Sequence, residues 1–275
     1  MLKKKTSSTP IPIHPVGQLP QVMSVLAYGR SGTGKTTFAS TFPKPILLLD
    51  VREKGTDSVS NVPNLDVGEI NDWESFEAMY WYLAQEKHKY KTVVVDQITQ
   101  LQDLAIVKAM KDDGKDPKES ISKRNWGQAA GLMKTWLLNY RDLLDNGIHI
   151  VFLAHDRMTS GEDDSGEDQI DPSVGARVMP SVASFVNGMV KIIGNTFIRE
   201  TYSIENKRKI KAVEYAMRIG AHAYFTAKAR SPVGSAVPDA IVNPSFDHLV
   251  SVMAGTYSET KPTKRIIRHG KETRQ

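Results

Sequence analysis

The chain has 275 residues, a formal net charge of +5, 40% hydrophobic and 24% charged residues, and no cysteine. The length suffices for one large α/β domain or two small ones with a real hydrophobic core, and the absence of cysteine excludes disulfides, zinc–thiolate sites and thiol catalysis. The longest apolar runs are far too short to cross a bilayer, and residues 6–20 lack the apolar core of a signal peptide. We therefore expect a cytoplasmic protein with no membrane partner.

Proline and charge are concentrated in segments outside the predicted core. Residues 1–20 carry four prolines among Ser, Thr and Lys, which predicts an extended arm. Residues 256–275 are rich in Lys and Arg and predict a flexible basic tail. An acidic stretch at 162–171 lies within residues 157–179, which lack apolar periodicity. The predicted organisation is one core domain, residues 21–255, between two polar segments.

A phosphate-binding loop is the most specific motif in the chain. Residues 29–36 read Gly-Arg-Ser-Gly-Thr-Gly-Lys-Thr and match G-x-x-x-x-G-K-[ST], after an apolar strand at 22–28 and before a short helix. Lys35 is expected to reach the β- and γ-phosphates of a nucleoside triphosphate, and the Thr36 hydroxyl to ligate Mg²⁺. The predicted nucleotide-binding residues here are Gly29, Arg30, Ser31, Gly32, Thr33, Gly34, Lys35, Thr36 and Thr37.

Strands and helices alternate after the loop. The pattern predicts a buried strand at 46–50, a helix behind the N-cap Asn71, and a β-branched strand at 92–96. A helix beginning near Ile98 comes next, and a longer helix spans residues 125–146.

The second half of the chain continues this alternation and then changes character. The long helix is predicted to bury Trp126 on its apolar face, and a buried strand follows at 148–154. Alternating patterns at 189–200, 212–219 and 223–229 predict further strands, and residues 246–254 predict a closing helix. The fold class is therefore α/β, with a mostly parallel sheet, helices on both faces and antiparallel edge strands.

Polar residues at the ends of strands complete the predicted site. Asp96 ends the β-branched strand, as an aspartate does when it holds Mg²⁺ through its water shell. Glu53 follows the preceding strand and either orients the attacking water or is a surface acid paired with Arg52 or Lys54. His155 ends a parallel strand, where a side chain points into the ligand crevice. It is predicted to sense the γ-phosphate or to form a link to the next loop, rather than to be a core histidine.

Two cations lie on a predicted edge strand. Lys228 and Arg230 alternate with small residues, so both project to the same side. They either cap the nucleotide of a neighbouring subunit, as an arginine finger does, or protect the edge from strand addition.

The motifs taken together resemble a RecA-like ATPase core. Three segments are similar in sequence to phage-encoded nucleotide-binding proteins, which are single-strand annealing recombinases reduced to the RecA-type core. These segments read Tyr-Gly-Arg-Ser-Gly-Thr-Gly-Lys-Thr-Thr-Phe-Ala, Thr-Val-Val-Val-Asp-Gln-Ile-Thr and Ala-Lys-Ala-Arg-Ser-Pro. The resemblance covers residues 22–232. It implies ATP and Mg²⁺ as cofactors, single-stranded DNA as partner, and a homo-oligomer, filament or ring, with ATP at subunit interfaces. A single-strand-binding protein is a further expected partner.

The resemblance also implies roles for single residues. It assigns Lys35, Asp96 and His155 to catalysis, with His155 coupling the γ-phosphate to a DNA-binding loop. It assigns Lys228 and Arg230 to ATP contacts across a subunit interface, which favours the first of their two interpretations.

The acid that activates water matches only approximately. Members of the group carry it two residues after the strand-end aspartate, where this chain has Arg52, whereas the acid here is Glu53. The resemblance therefore implies slow ATP turnover. The predicted DNA contacts are Arg157, Arg177, Lys264, Arg265 and Arg268.

The sequence thus predicts an ATP-binding and ATP-hydrolysing recombinase that anneals complementary DNA strands in the cytoplasm of a phage host. Two alternatives stay open. A non-catalytic, nucleotide-gated loader or packaging accessory protein is compatible with Gln97 directly after Asp96. A P-loop small-molecule kinase is disfavoured because its candidate lid, residues 157–179, is mostly acidic.

Overall fold

The computed structural model describes residues 22–159, 173–205, 208–232 and 234–258, and for residues 203–205 and 208–212 it describes the backbone alone. The strands are β1 (Ser24–Tyr28), β2 (Ile46–Asp50), β3 (Leu65–Glu69), β4 (Thr92–Asp96), β5 (His149–Ala154), β6 (Asp156–Thr159), β7 (Ser173–Ala176), β8 (Ile192–Glu205), β9 (Arg208–Arg218), β10 (Lys228–Ala229) and β11 (Ala240–Val242). The helices are α1 (Lys35–Ala39), α2 (Trp73–Gln85), α3 (Ile98–Asp112), α4 (Lys123–Asp142), α5 (Pro180–Met189) and α6 (Phe246–Ala254). The predicted arm and tail fall almost wholly outside these residues, and so do Lys264, Arg265 and Arg268.

The main sheet has nine strands in the order β11-β9-β8-β1-β5-β4-β2-β3, with β10 paired to β8. The pairs among β1, β2, β3, β4 and β5 are parallel, as is β1 with β8, whereas β9, β10 and β11 pair antiparallel. Strand β5 lies between β1 and β4, and Ala154 pairs with Tyr28 while Leu153 pairs with Asp96. The carboxyl ends of these three strands therefore meet at one edge, which positions the site.

Hydrophobic layers cover both faces of the sheet. One buried cluster packs α2, α3, α4 and α5 against it, with Phe76, Leu101 and Leu137 fully buried. The other packs α1 and α6, with Phe38 and Leu249 buried. This arrangement confirms the predicted α/β class with a mostly parallel sheet, helices on both faces and antiparallel strands at one edge.

Two hairpins extend from the sheet. Strand β8 pairs with β1 only over residues 192–195 and continues as a long antiparallel hairpin with β9. Strands β6 and β7 form a separate two-stranded hairpin directly after β5. The predicted irregular segment 157–179 thus contains most of β6 and all of β7, and residues 160–172 lie outside the described part.

Several local predictions were wrong or incomplete. The N-cap of α2 is Asp72 rather than Asn71, because the Asp72 carboxylate accepts hydrogen bonds from the backbone and hydroxyl of Ser75. Trp126, predicted to be buried, is 39% exposed, since it lies in the first turn of α4 beside an open cavity. Strand β3 and helix α5 were missed. Of the predicted strand 223–229, only β10 and a single bridge at Phe225 form.

Candidate nucleotide site and the cavity beside it

The phosphate loop is held open by close backbone contacts. Gly34 adopts φ +84°, a left-handed conformation that favours glycine, and it is the N-cap residue of α1. A Cβ at Gly29 would lie 2.4 Å from the Thr196 carbonyl oxygen of β8, so only glycine fits there. The Thr33 and Thr196 hydroxyls share a hydrogen bond of 2.7 Å. Strand β8 therefore braces the phosphate loop, and loops of this sequence surround phosphates with backbone N–H groups.

Lys35 is buried inside this loop. Its ammonium donates to the carbonyl oxygens of Gly29 and Arg30, both at 2.9 Å. Burial lowers the pKa of Lys35, and the nearby Asp96 and Glu53 carboxylates partly offset that effect. A positive charge is thus fixed within the loop that the motif assigns to the β- and γ-phosphates.

Thr36 and Asp96 meet as the sequence predicts. The Thr36 hydroxyl donates to Asp96 Oδ2 at 2.9 Å, and Asp96 is only 5% exposed. Burial raises the pKa of Asp96 to about 6, with Glu53 adding to the shift and the Thr36 hydrogen bond opposing it. A hydroxyl beside a buried carboxylate is a hard oxygen donor set that suits Mg²⁺. Thr36 and Asp96 would hold that ion, which supplies neutralising charge for the phosphates when bound.

Glu53 also reaches the site, despite its offset in the sequence. Its side chain lines the nucleotide cavity, accepts a hydrogen bond from Gln100 Nε2 at 2.9 Å, and lies 3.7 Å from His155 Nε2. Of the two interpretations of Glu53, this contact set favours a place in the site over a surface ion pair with Arg52 or Lys54. The Arg52 guanidinium instead donates to the Asn71 carbonyl.

His155 connects the nucleotide cavity with α3 and the segment that contains Arg177. Its Nε2 lies 3.0 Å from Gln97 Nε2, and it accepts from this amide in the tautomer that carries the ring proton on Nδ1. Burial lowers the pKa of His155, and Lys35 adds to the shift. Its backbone N–H donates to Thr99 Oγ1, and its carbonyl accepts from Arg177 N at 2.8 Å. One residue therefore contacts Gln97 on the nucleotide side and Arg177 on the other.

The cavity itself has a volume of about 550 Å³, within the usual range for a bound nucleotide or drug-sized ligand. One part of its wall is the phosphate loop with Glu53, Asp96 and Gln97. Another part was not predicted and consists of Tyr215, Asn243 and Pro244. Tyr215 lies against Gly34, where a Cβ would be 3.2 Å from its ring, and its carbonyl accepts from Asn243 N at 2.7 Å.

Comparison with known proteins decides the family. The model AAA_24, described as an AAA domain, matches residues 21–231, which is most of the chain. The chain belongs to this AAA domain family of P-loop NTPases. No curated protein matches it. Among solved structures, the flagellar accessory protein FlaH from Methanocaldococcus jannaschii is similar at 9% identity and a TM-score of 0.37, covering 82% of this chain and 87% of that one.

Family membership supports nucleotide binding by this AAA domain, for which ATP with Mg²⁺ is the predicted ligand. Within the described residues, no helix is both long enough and apolar enough to cross a membrane.

A second cavity of about 290 Å³ lies beside the nucleotide site of the AAA domain. Two predicted DNA-contacting residues, Arg157 and Arg177, line it together with Trp126. Its floor includes Thr99, Gln102 and Asp103, all on α3. Burial raises the pKa of Asp103, and Arg177 partly offsets this. Helix α3 begins directly after Gln97, which lines the nucleotide cavity, whereas residues of α3 itself line the second cavity.

Lys228 and Arg230 lie away from the nucleotide cavity of their own chain. Lys228 pairs in β10 with Ile193 of β8, and its ammonium donates to the Asn187 carbonyl. Burial lowers the pKa of Lys228 and of Lys191, and Arg230 contributes to both shifts. Three positive charges are therefore gathered on this side of the AAA domain, where they do not contact its own phosphate loop.

Proposed function

We propose that this AAA domain is a RecA-like, DNA-linked ATPase that binds single-stranded DNA and promotes annealing of complementary strands in the cytoplasm of a phage host. The observation that carries the proposal is the pair of adjacent cavities. One contains the phosphate loop, and the other combines Trp126 with Arg157 and Arg177. Aromatic rings that stack on bases and cations that meet the backbone are the two elements of sequence-tolerant single-strand binding.

The nucleotide cavity supports hydrolysis. Lys35 supplies fixed positive charge, and Thr36 with Asp96 would hold the metal. Among the described residues, Glu53 is the one carboxylate in the cavity wall besides Asp96, and its role is to orient and deprotonate the attacking water. A non-catalytic accessory protein has no need of a second carboxylate at this place.

His155 provides a physical connection between the two cavities. Its ring contacts Gln97 and approaches Glu53, while its backbone contacts Thr99 and Arg177. A triphosphate that displaces Gln97 or Glu53 changes the partners of His155, and this shift reaches the first turn of α3 and the start of the second cavity. ATP binding thereby favours one DNA-binding state over another.

The cations gathered around Lys228 and Arg230 support assembly. Since they do not reach the phosphate loop of their own chain, their partner in a filament or ring is the ATP of a neighbouring subunit. A single-strand-binding protein would deliver the DNA.

Measuring ATP hydrolysis with and without single-stranded DNA tests the function, with Lys35→Ala as the control. Stimulation of hydrolysis by DNA in the wild-type protein, absent from Lys35→Ala, is the expected result. Turnover that depends on a small-molecule acceptor would instead indicate a kinase. Binding of ATP without any turnover would indicate a nucleotide-gated accessory protein.

A further inference from the structure

The loop that carries Glu53 has an unusual backbone. Arg52 and Lys54 adopt φ values of +59° and +52°, the left-handed region that side chains with a Cβ rarely occupy. The two residues flank Glu53. We name residues 50–54 the glutamate turn.

Without this turn, Glu53 would face the wrong way. Side chains alternate along an extended chain, so residues three positions apart lie on opposite sides. Asp50 is the last residue of β2, and its register partner is Asp96. An extended continuation would place Glu53 on the side opposite Asp50, whereas the left-handed residue between them reverses the direction and returns Glu53 to the cavity.

Contacts on both sides hold the turn. The buried Asp50 carboxylate accepts hydrogen bonds from the backbone N–H groups of Glu53 at 2.8 Å and of Lys54 at 3.0 Å. Val51 N donates to the Asp96 carbonyl at 2.7 Å, which ties the start of the turn to β4. The Arg52 guanidinium reaches the Asn71 carbonyl ahead of α2.

The carboxylate of Glu53 is held separately from its backbone. Gln100 on α3 donates to Oε2, and this is the only hydrogen bond to that carboxylate among the described residues. We name this hydrogen bond from Gln100 the clamp. The glutamate turn fixes the backbone of Glu53, and the clamp fixes its carboxylate.

We propose that the glutamate turn and Gln100 are positioning elements that bring Glu53 into line as the water-activating base of this ATPase. The inference rests on the proposed hydrolysis, and it explains how an acid one position later than the related sequences carry it can serve the same site. A base must lie within hydrogen-bond reach of its water, and displacement by about 1 Å can cost up to a hundredfold in rate.

Two substitutions at one position test the turn. Arg52→Val places a β-branched residue where φ is positive, whereas Arg52→Asn removes the same guanidinium but tolerates the left-handed conformation. Since both variants lose the guanidinium contact with Asn71, their difference isolates the backbone conformation, and we expect kcat of Arg52→Val to be about tenfold or more below that of Arg52→Asn, with the Kd for ATP equal in the two. Gln100→Ala tests the clamp and is expected to lower kcat without weakening ATP binding.

The turnover of Glu53→Gln, measured in the same assay, distinguishes failure of the positioning proposal from failure of the proposed hydrolysis. If Glu53→Gln abolishes turnover but Arg52→Val and Gln100→Ala do not alter kcat, the base stands and the positioning proposal is overturned. If Glu53→Gln retains full turnover, or the wild-type protein has none, Glu53 is not the base and both ideas are overturned. Melting temperatures and binding of a fluorescent ATP analogue verify folding. If Arg52→Val does not fold, Gln100→Ala decides.

Discussion

The Thr36 hydroxyl donates a hydrogen bond of 2.9 Å to the Asp96 carboxylate, joining the phosphate loop to the neighbouring motif across the strand between them. The two residues are 60 positions apart in the chain. Because this carboxylate is buried, its charge state links metal binding, pH and the stability of the free protein.

Stability of the metal-free protein should depend on Asp96. The pKa of Asp96 in the folded protein, about 6, lies above the ordinary aspartate value of 3.8, so folding favours the protonated form. The contribution of Asp96 to the free energy of unfolding is fully present below pH 4 and is lost as pH rises through 6, which lowers the free energy of unfolding by about 3 kcal/mol. Asp96→Asn should remove this dependence, as measured by thermal unfolding in chelator between pH 4 and 8.

The wild type and Asp96→Asn must be compared, because titration of His149 changes the stability with pH in the opposite direction to titration of Asp96. Burial lowers the pKa of His149 to about 4, so its contribution to stability is lost as pH falls. The difference between wild type and Asp96→Asn isolates the carboxylate. A difference that does not change with pH would contradict the prediction.

Tyr215 should contribute to binding of the base or ribose rather than of the phosphates. Its ring lines the nucleotide cavity beside Gly34 and is 37% exposed. Tyr215→Ala is expected to weaken ATP binding about tenfold through loss of ring contact, and Tyr215→Phe to preserve it. Inorganic tripolyphosphate, which has no base, should bind both variants like the wild type in calorimetry. Equal loss for both ligands would mean that the ring only supports the loop.

Trp126 should stack on single-stranded DNA. Trp126→Ala is expected to weaken binding of an oligothymidylate about tenfold, since one base–aromatic stack is worth about 1–3 kcal/mol. Trp81→Ala is the matched control, because Trp81 is also exposed but lies on α2 against Trp136. Fluorescence anisotropy with labelled DNA measures both. Equal effects of the two substitutions would argue against the second cavity as the DNA site.

Arg157 and Arg177 should contribute charge rather than stacking. Removing either one is expected to reduce the slope of log K against log salt by about 0.7, the value for one phosphate contact on a single strand. A titration series in potassium chloride measures the slope. An unchanged slope in both variants would place the DNA backbone elsewhere.

Lys228 and Arg230 should act on a neighbouring subunit. Arg230→Ala is expected to abolish ATP-dependent growth in particle size, measured by light scattering, while ATP binding by the single subunit remains. Mixing Arg230→Ala with Lys35→Ala should restore part of the assembly, because one variant keeps the ATP site and the other keeps the cation. If neither ATP nor the substitution alters particle size, the interface role fails.

Much of the site follows from the sequence for a simple reason. Parallel strands end at a shared edge, so Asp96, His155 and the phosphate loop had to meet once the strands were recognised. The loop spelling itself specifies Lys35 and Thr36. These placements depend on local pattern and on the general geometry of an α/β sheet.

What the sequence did not reveal depends on contacts between distant segments. Tyr215 looks like any exposed residue of a strand, and its carbonyl pairs with Asn243, which directly follows β11 and lines the same cavity. Asn243 adopts φ +47°, which no periodicity predicts. Trp126 has helical spacing typical of a core residue, but the first turn of α4 faces the second cavity rather than the core. The reach of Glu53 similarly requires a turn that composition alone does not specify.

The position of β1 bears on how this protein is made. Both of its partner strands, β5 and β8, lie more than 100 residues further along the chain, and Thr196 is needed to brace Gly29. On the ribosome, the phosphate loop emerges early yet stays incomplete until residue 196 has left the exit tunnel. Strands β2, β3 and β4 can pair sooner, because they adjoin one another in sequence. The nascent chain should therefore gain affinity for nucleotide abruptly and late, when β8 docks and closes the centre of the sheet.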